Sequence, residues 1–331
     1  MDLLMPAPNP KIAVVIPAYR VARQIGDVLR RVPSCVGSVY VVDDASPDDV
    51  AGAVAAVADP RVTLLRHDVN QGVGGAMVTG FQAALADGAE ILVKCDGDGQ
   101  MDPQDIPALI APLREGRAEY AKGCRFQHLR DLSVMPRVRL FGNVGLTFLT
   151  KLASGYWHVL DPQNGFLAVR ADTLGRIRYE RLSKRFFFEN DMLIRLNTIE
   201  ARVADVPFPS RYADEPSSLR PGRILFSFPP RLLLGFLRRI LWRYVFFDVS
   251  PVAIFLFSGL LLFSWGFGFG LTEWIVNGRR GVLTTAGTVM LAAVPLILGF
   301  ELILQAIVLD VQNSPRPAPA PARQLEPGEG G

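Results

Sequence analysis

The stretch EILVKCDGDGQ, residues 90–100, reads as a strand of almost continuous apolar residues running straight into a loop that holds two aspartates, Asp96 and Asp98. Unbroken Val, Ile and Leu over strand length belong to a parallel sheet covered on both faces. Residues 12–16, 38–42 and 62–65 have the same character. Between them lie helix candidates, among them residues 24–31 and a segment opening at Ser46-Pro47-Asp48-Asp49, where an N-cap, a first-turn proline and early acids stand together. Alternating strands and helices joined by right-handed crossovers predict an α/β fold with a doubly wound, mostly parallel sheet. Ligands of such sheets bind beyond the carboxyl ends of the strands.

That rule selects side chains. The second strand ends in Asp43-Asp44 and the fourth in Asp96-Gly97-Asp98-Gly99-Gln100, so both acidic clusters are expected to open onto one crevice and to close on one cation bridging a diphosphate. Glycine between Asp96 and Asp98 lets the backbone turn tightly and brings two hard oxygen ligands to the same ion. Mg²⁺ or Mn²⁺ suits such a site, because these ions take one or two carboxylates and complete their shell with water and substrate phosphates. The loop after the first strand, Pro17-Ala18-Tyr19-Arg20, lacks GxGxxG, and no GxxxxGK[ST] occurs, which disfavours dinucleotide and P-loop chemistry. The run Asn70-Gln71-Gly72-Val73-Gly74-Gly75-Ala76 precedes a helix; its amides either face a phosphate or sugar, or simply make a tight turn.

Five elements in order, IPAY at Ile16, VDDASPDD at Val42, NQGVGGA at Asn70, DGDGQMDP at Asp96 and GCR at Gly123, resemble the inverting GT-A glycosyltransferases of family 2. Within that family the likeness is to polyprenyl-phosphate sugar synthases related to dolichol-phosphate mannose synthase, over about residues 11–220. The resemblance implies a nucleotide-sugar donor, a polyprenyl-phosphate acceptor, and the following site. Pro17, Tyr19 and Asp44, with Asp43, Asn70, Gly72, Asp96 and Gly97 beside them, hold the donor; Asp96, Asp98 and Gln100 surround the metal. Arg125 sits near the leaving or acceptor phosphate. Arg139, Asn143 and Arg220 face the acceptor, and Asp161 and Gly165 line the sugar pocket. In Phe186-Phe187-Phe188-Glu189-Asn190-Asp191, either Glu189 or Asp191 is the functional acid. A lipid monophosphate, whose second pKa is about 6, attacks without a strong base, whereas a hydroxyl acceptor makes one of those acids essential. A processive polysaccharide synthase would need a channel and a QxxRW motif, neither of which the chain has, and a catalytically silent scaffold is disfavoured by intact Asp96, Asp98 and Arg125.

Across 331 residues, 35 basic and 32 acidic side chains nearly cancel to +3, which excludes a strong field for nucleic acid. Cys35, Cys95 and Cys124 have no CxxC spacing, and His67, His128 and His158 no metal spacing, so structural roles are expected for them. Nothing before Lys11 resembles a cleaved signal. Residues 249–272 and 282–309 are long apolar runs, each able to cross about 30 Å of hydrocarbon. Arg220, Arg223, Arg231, Arg238, Arg239 and Arg243 precede them, while the short connection carries Arg279 and Arg280, which predicts a two-span hairpin in the inner membrane with the large domain in the cytosol. The expected organisation is an N-terminal extension 1–10, a catalytic domain 11–220, interfacial amphipathic helices 221–247 broken at Pro229-Pro230 with arginines toward lipid phosphates, a membrane hairpin 248–310, and a disordered proline-rich tail 311–331. Gly266 and Gly270 have GxxxG spacing, which points to close helix packing and admits a homo-oligomer; Glu301 at membrane depth is either a candidate contact to another helix or a polar lipid group, or near enough to the interface to hydrate.

Overall fold

The computed structural model describes residues 10–125, 137–208, 221–247 and 249–319, of which 137–144 and 221–226 as backbone. It divides into two compact units, residues 1–232 with 315–331, and residues 233–314.

The first unit is organised by a sheet of seven strands, β1 (Ile12–Ala18), β2 (Ser38–Asp43), β3 (Val62–Arg66), β4 (Ile91–Lys94), β5 (Tyr120–Cys124), β6 (Leu167–Arg170) and β7 (Val203–Pro207). Their order across the sheet is β3-β2-β1-β4-β6-β5-β7. β1 to β4 pair in parallel, as do β5 and β7, and β6 runs antiparallel to both neighbours. All four strands read from apolar runs are present. Alternation along β1 divides the core: Ile12, Val14 and Ile16 face one layer, Ala13 and Val15 the other. On the first face lie α1 (Ile25–Arg30), α2 (Val50–Ala55) and α4 (Ile106–Arg114); on the second lie α3 (Val73–Ala86), α6 (Ala171–Ile177) and α7 (Phe188–Thr198). A further helix, α5 (Arg137–Ser154), precedes β6.

The topology fixes where a site forms. Ala18 is level with Asp43 across the β1–β2 ladder, and Val15 with Lys94 across β1–β4, so the loops after β1, β2 and β4 emerge at one edge. Since β6 reverses direction between β4 and β5, β5 also ends at this edge, delivering Arg125; Leu167, level with Lys94, brings in the segment just before β6.

Two local expectations are corrected. The second helix starts at Val50 with Asp49 as its N-cap, accepting from the Gly52 amide at 2.8 Å, rather than at Ser46. Ser46 and Asp48 instead accept from the amides of Arg20 (2.7 Å) and Ala22 (2.8 Å), tying the loop after β1 to the loop after β2. Pro229-Pro230 does not divide its helix either: α8 runs Pro221–Leu241 with both prolines inside. Phe228, next to them, is buried against Phe187 with ring centroids 5.4 Å apart, a contact that offsets backbone hydrogen bonds the prolines cannot make. Beyond α8, residue Ala318 donates its amide to the Arg117 carbonyl at 2.9 Å, so at least that part of the proline-rich tail is held.

In the second unit a π-helical turn (Trp242–Phe246) leads to α9 (Pro251–Arg280) and α10 (Ala286–Gln312). Both are long and apolar enough to cross a membrane, and only 28% and 11% of their most apolar windows are buried within the protein. A core helix of a soluble domain would be mostly covered; these are not, so the chain is a membrane protein. Close packing of the two relies on glycine: a Cβ at Gly266 would stand 2.6 Å from the Ala292 carbonyl oxygen, and one at Gly299 2.4 Å from the Phe263 nitrogen. The Gly266 spacing thus serves the contact within the hairpin. At its base, Arg239 is fully buried and donates to both Asp310 oxygens at 2.6 and 2.9 Å; Tyr244 donates to the same carboxylate at 2.7 Å. Arg243 donates to the Asn313 carbonyl at 2.7 Å. These two arginines therefore hold protein rather than lipid phosphate, because a buried guanidinium is tolerated only when paired and hydrogen-bonded.

Candidate active site

The loop after β4 carries the most open carboxylate chemistry. The left-handed turn in it is at Gly99 (φ +77°), not at the glycine between the acids; a Cβ on Gly97 would meet Ile16, Val21 and Ile25 at 3.1–3.4 Å, so that glycine serves packing. Asp98 accepts from the Gln100 amide at 3.0 Å and stays partly exposed, and the Gln100 side chain is exposed. Asp96 accepts from Lys94 Nζ at 2.6 Å. Lys94 is itself buried at 1% side-chain exposure, 3.6 Å from Glu189 and donating to the Gly165 carbonyl at 3.2 Å. Burial disfavours its ammonium, but the carboxylates of Asp96 and Glu189 outweigh that and hold its pKa above the ordinary lysine value. Gly165 is required by this crowding: a Cβ there would lie 2.5 Å from Lys94 Nζ.

The two acids of α7 separate cleanly. Glu189 faces Lys94 and, through it, Asp96. Asp191 accepts from the Ser183 amide at 3.0 Å and from Arg195 at 3.1 Å, and Arg195 in turn donates to the Arg181 carbonyl, so Asp191 ties the loop before α7 to its helix.

Asp161 does not line an open pocket. It is 2% exposed and receives Arg125 through Nε at 2.8 Å and Nη2 at 3.3 Å, with Asn164 adding a contact at 3.4 Å. Its carboxylate aims the half-exposed Arg125 guanidinium. Beneath them Lys122, fully buried, donates to the Asn164 carbonyl, and burial pushes its pKa down to about 8. Nearby Asp205 is pushed up to about 6, chiefly by burial. Lys94 and Lys122 were not singled out from the sequence; the available signal was a lone lysine inside an otherwise apolar strand, ILVK and YAKGC.

The Asp43-Asp44 pair is wired differently. Asp43 accepts from the Ser46 amide (2.9 Å) and Arg66 (3.1 Å). Asp44, 3% exposed, accepts from the amides of Gln71 (2.8 Å) and Gly72 (2.7 Å) and contacts His67 at 2.7 Å, while Asn70 donates to its carbonyl at 3.1 Å. An aspartate is therefore the anion at the N-terminus of α3. The glycines there serve close approach, since a Cβ on Gly72 would lie 2.7 Å from the Lys184 carbonyl oxygen and one on Gly74 2.0 Å from that of Ser183. His67, bonded also to Thr79 at 2.8 Å, and His158, bonded to the Val203 carbonyl at 2.9 Å, have structural roles. His128 lies outside the described residues. Pro17, the penultimate residue of β1, pairs beside Val42, and Tyr19 is 43% exposed with the Arg20 guanidinium 5.4 Å from its ring centre. Among the predicted acceptor residues, Arg220 lies outside the described residues; Arg139 and Asn143 fall on the backbone of α5, and their side chains lie outside the description.

No group of three or more His, Cys, Asp or Glu side chains able to hold a metal occurs among the described residues. The donors present fit a hard divalent ion that draws most of its shell from phosphates, with partly exposed Asp98 and Asp96 adjacent to each other on one loop.

The sequence matches the model of the family described as "Glycosyl transferase family 2" over residues 13–178. It is 29% identical over 232 residues to the UDP-N-acetylglucosamine–dolichyl-phosphate N-acetylglucosaminyltransferase of Methanococcus voltae, covering 66% of this chain and 92% of that one. To the undecaprenyl-phosphate mannosyltransferase of Micrococcus luteus it is 30% identical over 202 residues, 60% of this chain and 82% of that one. Among solved structures, glucosyl-3-phosphoglycerate synthase from Mycobacterium tuberculosis, crystallised with Mn²⁺, UDP-glucose and phosphoglyceric acid, superposes with a TM-score of 0.51 at 20% identity, covering 70% of this chain and 79% of that one. The shared edge of β1, β2, β4 and β5, the ordered motifs placed on it and these likenesses lead to one conclusion: the chain belongs to glycosyl transferase family 2, a glycosyltransferase with a GT-A-like sheet and two apolar C-terminal helices.

Proposed function

We propose that the protein transfers a sugar, with inversion, from a nucleoside-diphosphate sugar to a polyprenyl phosphate at the cytosolic face of the inner membrane. The single observation that carries this reading is the pairing of the partly exposed Asp98 loop with an Arg125 aimed by buried Asp161, both at the carboxyl edge of the sheet. The named acceptors of its relatives, dolichyl and undecaprenyl phosphate, support the lipid class, and the UDP-glucose and Mn²⁺ of the structural neighbour support the donor class and the ion. Asp98, with Asp96 and Gln100 beside it, would hold Mg²⁺ or Mn²⁺, which when bound neutralises charge on the departing diphosphate. Arg125 contributes a guanidinium to the leaving or the attacking phosphate; held by a bidentate carboxylate, it needs little reorganisation as charge develops. Exposed Tyr19 and half-buried Pro17 offer a surface for the nucleoside. Asp43, Asp44, Asn70 and Gly72 shape that pocket from behind, since their polar atoms bond one another and neighbouring loops. Glu189, sharing Lys94 with Asp96, is a poor strong base in this arrangement, which agrees with an acceptor phosphate that arrives ionised.

The test is incubation of detergent-purified protein with undecaprenyl phosphate, Mg²⁺ or Mn²⁺, and labelled UDP-, GDP- and dTDP-sugars. A labelled, mild-acid-labile lipid is expected with one donor; transfer only to hydroxyl acceptors overturns the reading.

A further inference from the structure

We infer that α10 is a dimerisation helix: its outer face pairs in the membrane with the same face of a second copy of this chain, in register at Glu301. The inference rests on the hairpin spanning the bilayer.

Glu301 is residue 16 of the 27 in α10, about 22 Å from its start and about 17 Å from its end at 1.5 Å per residue, and so near mid-membrane. It points away from α9. Gly299 and Ala306, on the opposite side of the helix, are the buried residues packed into the hairpin. Among the described residues its side chain has one hydrogen bond, from Gln305 Nε2 at 3.1 Å, and both residues are exposed. A carboxyl and an amide turned together toward hydrocarbon are costly unless another polar group covers them.

Three observations point to a second copy as that cover. The pair complements itself: Gln305 uses one amide N–H on its own Glu301, leaving another N–H and a second carboxyl oxygen that a facing Glu301–Gln305 pair can match reciprocally around a twofold axis. The surrounding surface repeats with the period of a left-handed helix pair, since Gly287, Val294, Glu301 and Val308 recur every seven residues and all are exposed, with exposed Met290 and Gln305 beside them. Both chains also insert with the same orientation, so α10 meets α10 in parallel, and a single polar residue in such a seam specifies register. The glycine face of the hairpin is unavailable for this purpose, because Gly259, Gly266 and Gly299 already pack α9 on α10.

The experiment uses the full chain with the exposed Cys35 replaced by serine, reconstituted in sealed vesicles; Cys95 and Cys124 are buried. Val294→Cys and Val308→Cys on the seam are expected to give disulfide-linked dimers on mild oxidation. Leu261→Cys, exposed on α9, is expected to give at least tenfold less. Without cysteines, Glu301→Leu is expected to weaken dimerisation at least tenfold, measured by energy transfer between labelled copies at several protein-to-lipid ratios, and Glu301→Gln to preserve it. A wild-type protein that stays monomeric at every ratio, equal cross-linking at Leu261→Cys, or undiminished pairing of Glu301→Leu overturns the inference. A membrane-impermeant maleimide distinguishes its failure from failure of the span: Val294→Cys protected in vesicles but never cross-linked removes the dimer alone, whereas ready labelling removes both.

Discussion

Two acidic loops leave the same edge of one sheet, and they do opposite things. Asp44, after β2, is buried and answers two backbone amides and a histidine, closing the N-terminus of α3. Asp98, after β4, accepts one local amide and stays partly exposed. Both are aspartates in the loop that follows a strand. What differs is burial: the segment at residues 70–72 folds its amides onto Asp44, whereas Asp98, beside the left-handed turn at Gly99, keeps part of its surface exposed. An acidic loop at a sheet edge is thus a candidate ligand where its carboxylate keeps exposed surface rather than being buried against the backbone.

The comparison breaks most visibly at Asp98. Asp98→Ala is expected to cut transfer by about 10³-fold or more while moving Tm little, since the side chain is partly exposed; activity within tenfold of wild type refutes the assignment. Glu189 and Asp191 repeat the contrast within one helix. Glu189→Gln is expected to lower kcat by roughly 10²-fold by misplacing Lys94 and, through it, Asp96, and Asp191→Asn to leave kcat nearly unchanged but to lower stability by about 1–2 kcal/mol through its bonds to Ser183 and Arg195. The reverse outcome would exchange their roles. Asp44→Asn should act as a folding mutation, costing about 3 kcal/mol as amide and histidine partners are left unmatched, or roughly 6–12 °C in Tm. A large kcat loss at unchanged Tm would instead make Asp44 a direct ligand.

The pH-dependent effect lies beneath the site. Asp205 has a folded pKa of about 6 against an ordinary 3.8, so the folded state holds more protons between those values; stability is therefore greatest below about pH 4 and is lost as pH rises through 6. Asp205→Asn should flatten that slope, worth about 3 kcal/mol at most, in Tm measured from pH 4 to 8. Lys122, lowered to about 8, acts at the other end, where stability is regained as pH rises from 8 toward 10.5.

Much of this was legible in the chain. Continuous Val, Ile and Leu runs mark β1 to β4 because strands covered on both faces cannot alternate with polar residues, and two long, predominantly apolar runs mark the hairpin because apolar surface is what crosses hydrocarbon. The motif order on those strands located the candidate site at one edge. Tertiary structure alone decided which acid faces it. Glu189 and Asp191 sit two residues apart with equal local credentials, and only Lys94, nearly a hundred residues away in sequence, and Arg195 separate them. It likewise turned Asp161 from a pocket wall into the support of Arg125, and Arg239 from a lipid contact into the partner of Asp310. The physical reason is common to these cases: a side chain's periodicity and propensity are properties of its neighbours in sequence, whereas what its charge does depends on which distant donors and acceptors the fold carries within about 3 Å of it.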